Sequence, residues 1–139
     1  MEILQPGHWQ RPKGYSNGIV ATGRLVFVAG QVGWDEHERF PSTCMAEQCE
    51  QALRNVLTVL ALADCGPEHI ARMTWYVTDK HEYRDKAKDI GAAYRRTIGK
   101  HFPTMTLVQV AGSLEDDAKV EIECTAVRPE DAPTSEGLS

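Results

Sequence analysis

Along residues 25–31 the chain alternates: Leu25, Phe27, Ala29 and Gln31 face one way, Val26, Val28 and Gly30 the other. That two-residue period predicts a strand. A shorter extended run, Ile19–Ala21, precedes it, and Thr22-Gly23-Arg24 between the two reads as a hairpin turn. Asp35 to Phe40 is polar and reads as a loop. The period then lengthens. Met45, Cys49, Ala52, Leu53, Val56, Leu57 and Leu60 recur at three- and four-residue steps, with Glu47, Glu50, Gln51 and Arg54 opposite. This is the stripe of an amphipathic helix, with Ser42 or Thr43 as its cap and Gly66-Pro67 beyond its end. Residues 72–78 alternate again, Met73, Trp75 and Val77 against Thr74, Tyr76 and Thr78. Asp79 then caps a second helix, with Glu82 completing a capping-box pattern. Its stripe is Tyr83, Ala87, Ile90, Tyr94 and Ile98, and Gly99 ends it. Strands over 104–110 and 120–127 follow, separated by a turn at 112–119; in the last, Val120, Ile122, Cys124 and Ala126 oppose Glu121, Glu123 and Thr125.

The order β-β-α-β-α-β-β predicts an α+β domain over residues 1–128, a mixed sheet with two helices on one face. The polar, Pro-containing stretch 129–139 is expected to be a disordered tail. Two helices can cover only one face of the sheet, yet the strands carry apolar residues on both. In "FPTMTLVQV", Thr104, Thr106, Val108 and Val110 lie on one face and Met105, Leu107 and Gln109 on the other. At about 25 cal/mol per Å2, a bare second face forgoes many kcal/mol of burial. Another subunit is expected to cover it.

Composition narrows the classes of function. The 139 residues are 42% hydrophobic and 25% charged, ordinary values for one globular domain. A net charge of −5 with scattered Lys and Arg argues against nucleic acid as a partner. No segment reaches the ~18 apolar residues of a membrane span, and the first residues lack a secretory h-region. Cys44, Cys49, Cys65 and Cys124 form no C-x-x-C pair, and the five histidines are dispersed. Reduced thiols in a cytoplasmic protein without a metal are expected.

Six stretches carry a resemblance. They are Tyr15-Ser16, "VFVAGQ" at 26–31, "QALRNVL" at 51–57, "YVTD" at 76–79, Phe102-Pro103 and "KVEIECTAVRP" at 119–129. As an ordered set over about four-fifths of the chain they resemble the Rid family, the reactive-intermediate deaminases also called the YjgF family. The resemblance implies a chorismate-mutase-like fold, a homotrimer with clefts between subunits, and no metal or organic cofactor. It also implies hydrolysis of small enamines or imines, such as 2-aminoacrylate, to a carbonyl compound and ammonia.

The same resemblance implies a cleft that includes Tyr15, Ala29, Gly30, Gly91, Met105 and Glu123. A positioned Glu suits the chemistry, because water must reach a C=N carbon and a proton must reach the departing nitrogen. One departure stands out. The family's deaminases carry Pro-Ala-Arg-Ser, whose arginine clamps the substrate carboxylate; here the stretch reads Pro103-Thr104-Met105-Thr106. Loss of a bidentate clamp costs about 2–5 kcal/mol toward a carboxylate, and Met105 offers a polarizable apolar wall instead. The chain thus resembles an arginine-less branch, suited to a flat, conjugated substrate of the 2-aminomuconate type. The alternative is a metabolite-binding trimer that has lost the chemistry; a ribonuclease, a label also attached to the family, fits the acidic balance poorly.

Each remaining site residue has two readings. Glu123 is a water-holding acid and base or a structural carboxylate at the interface. Tyr15 lines the cleft or packs at the interface. Trp34 is an aromatic lid or a rim residue, and Gln31 bonds a ligand or satisfies backbone at a strand end. Arg11, shortly before Tyr15, replaces the missing clamp or belongs to a solvated terminus.

Overall fold

A computed structural model describes residues 1–130; from residue 131 onward the expected tail lies outside the described residues. Four strands form the main sheet: β3 (Arg24–Val32), β4 (Ile70–Val77), β5 (Thr104–Gln109) and β6 (Val120–Arg128), in the spatial order β3-β6-β4-β5. The β4–β5 pair is parallel and the other two are antiparallel, so the sheet is mixed. A second, two-stranded sheet joins β1 (Glu2–Leu4) to β2 (Gly18–Val20).

The hairpin expected around Thr22-Gly23-Arg24 does not form. β2 pairs with β1, and β3 pairs with β6. Gly23 sits at φ 152°, and a Cβ there would collide with the Arg128 carbonyl. The glycine therefore admits the end of β6 instead of reversing the chain. β1, set in a stretch without clear alternation, was not anticipated.

Helix α1 (Met45–Ala61) buries the stripe read from the sequence, except that Leu57 is only partly covered. Its N-cap is Cys44, without a side-chain cap; the Ser42 hydroxyl accepts from Cys44 N–H at 2.9 Å instead. The buried Gln48 faces inward as well. Its Nε2 donates to the Ser42 and Asp117 carbonyls, both at 3.0 Å, and its Oε1 accepts from Lys119 N–H at 2.8 Å. One amide thus ties both flanking loops to the helix.

The expected second helix is two: α2 (Lys80–Asp85) and α3 (Ala87–Thr97), broken at Lys86. Asp79 caps α2, accepting from the N–H groups of His81 (2.9 Å) and Glu82 (3.1 Å). The Glu82 side chain does not return the capping-box bond. It accepts from Lys119 Nζ at 2.9 Å, fastening α2 to the residue just ahead of β6. Glu50 joins α1 to α3, accepting from Arg54 on its own helix and from Arg96 across the gap at 2.6 Å. These cations hold the Glu50 carboxyl below its ordinary value.

The helices cover one sheet face. Val28, Met73, Trp75, Val77, Ile122, Cys124 and Ala126 are buried against them. The other face is open in the single chain: Phe27 is 71% exposed, Leu25 60% and Val108 41%. The two-sided strands are therefore real, and among the described residues nothing covers their second side.

Candidate functional site

The site residues read from the sequence fall into several regions. Tyr15, Gly91 and Met105 come together in one cleft of about 410 Å3 between α3, the helix side of β5 and the segment at 13–15. Met105 pairs in register with the buried Met73, so its side chain points toward the helices. The segment carrying Tyr15 is stitched to β5. Ser16 N–H donates to the Pro103 carbonyl at 3.1 Å, its hydroxyl donates to the Phe102 carbonyl at 2.6 Å, and Ser16 bridges Thr104 in parallel.

Aromatic rings build the walls. Tyr94 stacks on Phe102 with centroids 6.0 Å apart and planes 8° apart, and its hydroxyl donates to the His101 carbonyl at 2.7 Å. Trp75 meets Tyr83 edge-on at 6.5 Å, and its buried Nε1 has no partner among the described residues. Burial pushes the Tyr83 and Tyr94 phenols up, so both walls stay neutral. The charged residues lining the cleft are Lys13 and Arg95, both cations.

Glu123 lies elsewhere, on the open sheet face. It shares a cavity of about 480 Å3 with Phe27, Ala29, Arg72 and Thr74, and its Oε1 accepts from the Tyr76 hydroxyl at 2.8 Å. That bond, followed by desolvation, pushes the Tyr76 phenol up. Gly30 packs against a different carboxylate. A Cβ on Gly30 would collide with the side chain of Glu121, whose Oε1 accepts from the Ser113 hydroxyl at 3.3 Å. The irregularity between Val28 and Gln31, where β3 slips against β6, accompanies this approach.

Gln31 and Trp34 line a third groove with Asn55 and the 35–38 loop. Gln31 Nε2 donates to the Ala29 carbonyl at 3.1 Å, and the Trp34 ring leans on Phe40 at 5.8 Å. Asn55 pins this strand end by donating to the Val32 and Trp34 carbonyls. Arg11 lines a fourth groove with Lys100 and His101; this groove shares Tyr15 and Phe102 with the cleft but not Met105. Among the described residues, no group of three His, Cys, Asp or Glu side chains could hold a metal ion, and no helix is long and apolar enough to cross a membrane.

Three features escaped the sequence reading: Arg95 in the cleft, Glu121 against Gly30, and Arg72 beside Glu123. For Arg95 a signal existed. It stands four residues after Gly91, hence on the same helix face.

In one chain, then, an aromatic cleft opens on the helix side of β5, and two carboxylates stand on the opposite sheet face. Comparison with known proteins agrees with this architecture. The endoribonuclease L-PSP family model matches residues 9–128. The chain is 32% identical to the RutC family protein slr0709 of Synechocystis, over 93% of this chain and 98% of the relative. It is 30% identical to the 2-iminobutanoate/2-iminopropanoate deaminase of Salmonella typhimurium, over 78% and 84% respectively. Among solved structures, the Rid-family protein YyfB of Yersinia pestis superposes with a TM-score of 0.77 at 25% identity, covering 91% of this chain and 98% of that one. The chain belongs to the endoribonuclease L-PSP family, the YjgF/Rid family of the sequence resemblance.

Proposed function

We propose that the protein is a cytoplasmic homotrimer that hydrolyses a small, flat enamine or imine to a carbonyl compound and ammonia in clefts between subunits. One observation carries this reading: the aromatic cleft of Tyr15, Gly91 and Met105 and the carboxylates Glu121 and Glu123 occupy opposite faces of one sheet. A second chain, laid on the open face, unites the two halves and covers Phe27 and Leu25. Relatives named as iminobutanoate deaminases support the reaction class. Four unpaired thiols suit a reducing compartment.

The ring walls and Met105 hold a conjugated C=N substrate, of which the 2-aminomuconate type is one example. Water adds to the carbon of the C=N bond, the resulting amino alcohol loses ammonia, and the carbonyl forms. Glu123 takes the proton from water and returns one to nitrogen, oriented by the Tyr76 hydroxyl. Because Gly30 packs against Glu121, the same role for Glu121 is a second reading.

A panel of enzymatically generated imines and 2-aminomuconate analogues, assayed for ammonia release, tests the proposal. Turnover is expected in the wild type, with Glu123→Gln slower by ~100-fold or more. A full rate in Glu123→Gln and a collapse in Glu121→Gln moves the role to Glu121. Full rates in both variants would refute a carboxylate mechanism. The absence of arginine at position 105 favours one other function, a metabolite-binding trimer; a silent panel combined with tight ligand binding would select it.

A further inference from the structure

We propose that Arg95 is the anion anchor of the aromatic cleft, so that the ligand's negative group is held from helix α3 and not from position 105 of β5. This deepens the reading of the cleft as the substrate site and rests on it. The cleft's charged residues, Lys13 and Arg95, are both cations, and neither forms an ion pair or side-chain hydrogen bond among the described residues. The neighbouring Arg96, by contrast, is committed to Glu50. An uncommitted guanidinium at the edge of an apolar, ring-lined pocket is a fork of donors for a planar carboxylate.

The sequence of α3 explains how Arg95 reaches the cleft. A helical side chain leans back over the turn before its own Cα. For Arg95 that turn holds Gly91, and a Cβ built on Gly91 would lie 3.6 Å from the Arg95 Nη1. The glycine therefore leaves open the surface that the guanidinium covers, and any longer side chain there would contend with it. Gly91 and Arg95 act as a pair, one vacating space and the other supplying charge. Met105, on the strand opposite, then contacts the conjugated body of the ligand. The ligand class is a flat, conjugated monoanion or dianion with a carboxylate at the α3 end. Arg95 is a specificity-determining residue for it.

Sorbate, a planar conjugated carboxylate that cannot deaminate, and its neutral amide are suitable probes, titrated calorimetrically at low salt into the intact protein. Sorbate should bind the wild type more tightly than the amide, and added salt should weaken sorbate alone. Arg95→Gln should raise the sorbate Kd at least 10-fold and leave the amide Kd within twofold. Equal melting temperatures check that the variants are folded. A sorbate Kd unchanged in Arg95→Gln, no sorbate binding to the wild type, or a loss confined to Lys13→Gln would each overturn the assignment. The probe undergoes no reaction, so a protein without deaminase activity that still shows the Arg95-dependent preference refutes the proposed chemistry and leaves the anchor standing.

Discussion

Replacing Phe27 with Asp isolates the contribution of the open sheet face. Phe27 is 71% exposed in the single chain, so the substitution removes little that holds the chain itself together. Its cost falls on association. A phenylalanine offers ~150–250 Å2 of surface, so roughly 140 Å2 at this position remains to be covered by a neighbour, worth about 3.5 kcal/mol per copy at ~25 cal/mol per Å2. An aspartate in its place also carries an unpaired charge into the interface. In the proposed trimer every subunit contributes a copy, so the penalty recurs at each contact. Sedimentation equilibrium at micromolar concentration should give three chain masses for the wild type and one for Phe27→Asp, with superimposable far-ultraviolet circular dichroism. A variant that sediments with the wild type, or a wild type that is already a single chain, would show that the open face is not the assembly surface.

Three further outcomes concern stability. Asp79→Ala removes the acceptor of two N–H groups at the start of α2 and should cost about 1 kcal/mol, read as a lower thermal midpoint. Gln48→Leu strands the Lys119 N–H and the carbonyls of Ser42 and Asp117; urea unfolding should show a loss of ~2–4 kcal/mol, and a neutral result would mean these loops find other partners. Burial pushes the Cys49 and Cys124 thiols from 9.0 up to about 12. Above pH 9 the unfolded chain therefore loses protons that the folded chain keeps. Stability should be fully present below that pH and fall as pH rises toward 12, by up to ~1.4 kcal/mol per unit for each thiol. Urea midpoints across that range should slope downward, less steeply in Cys49→Ala; a flat profile would contradict the burial argument.

The elements most legible in the sequence are those whose partners lie across a whole face. The α1 stripe, and Met73, Trp75 and Val77 on β4, announce themselves through period, because burial of one side is what selects them. Pairing is less legible. Thr22-Gly23-Arg24 carries a local turn signal, yet β3 finds its partner in β6, and Gly23 serves a close approach to Arg128 that no nearby residue specifies. Glu82 fits a capping box by spacing but is claimed by Lys119 from the loop ahead of β6. The site follows the same rule. Tyr15, Gly91 and Met105, named as cleft positions by the family resemblance, line one cavity in the single chain, while Arg11, chosen for its nearness to Tyr15 in sequence, lines the adjoining groove. Arg95 was hidden because the Arg95-Arg96 pair on a polar helix face looks like any run of solvated cations; the space over Gly91 distinguishes Arg95, and the ion pair to Glu50 accounts for Arg96.

The placement of Tyr15 and Met105 on one side of the sheet and Glu121 and Glu123 on the other makes dilution a control on the chemistry. If the cleft and the carboxylates are halves of one shared site, as proposed, a lone chain owns two half-sites facing away from each other. Well below the concentration at which trimers assemble, complete sites would decline with the cube of the chain concentration. On that proposal, turnover per chain would fall steeply on dilution.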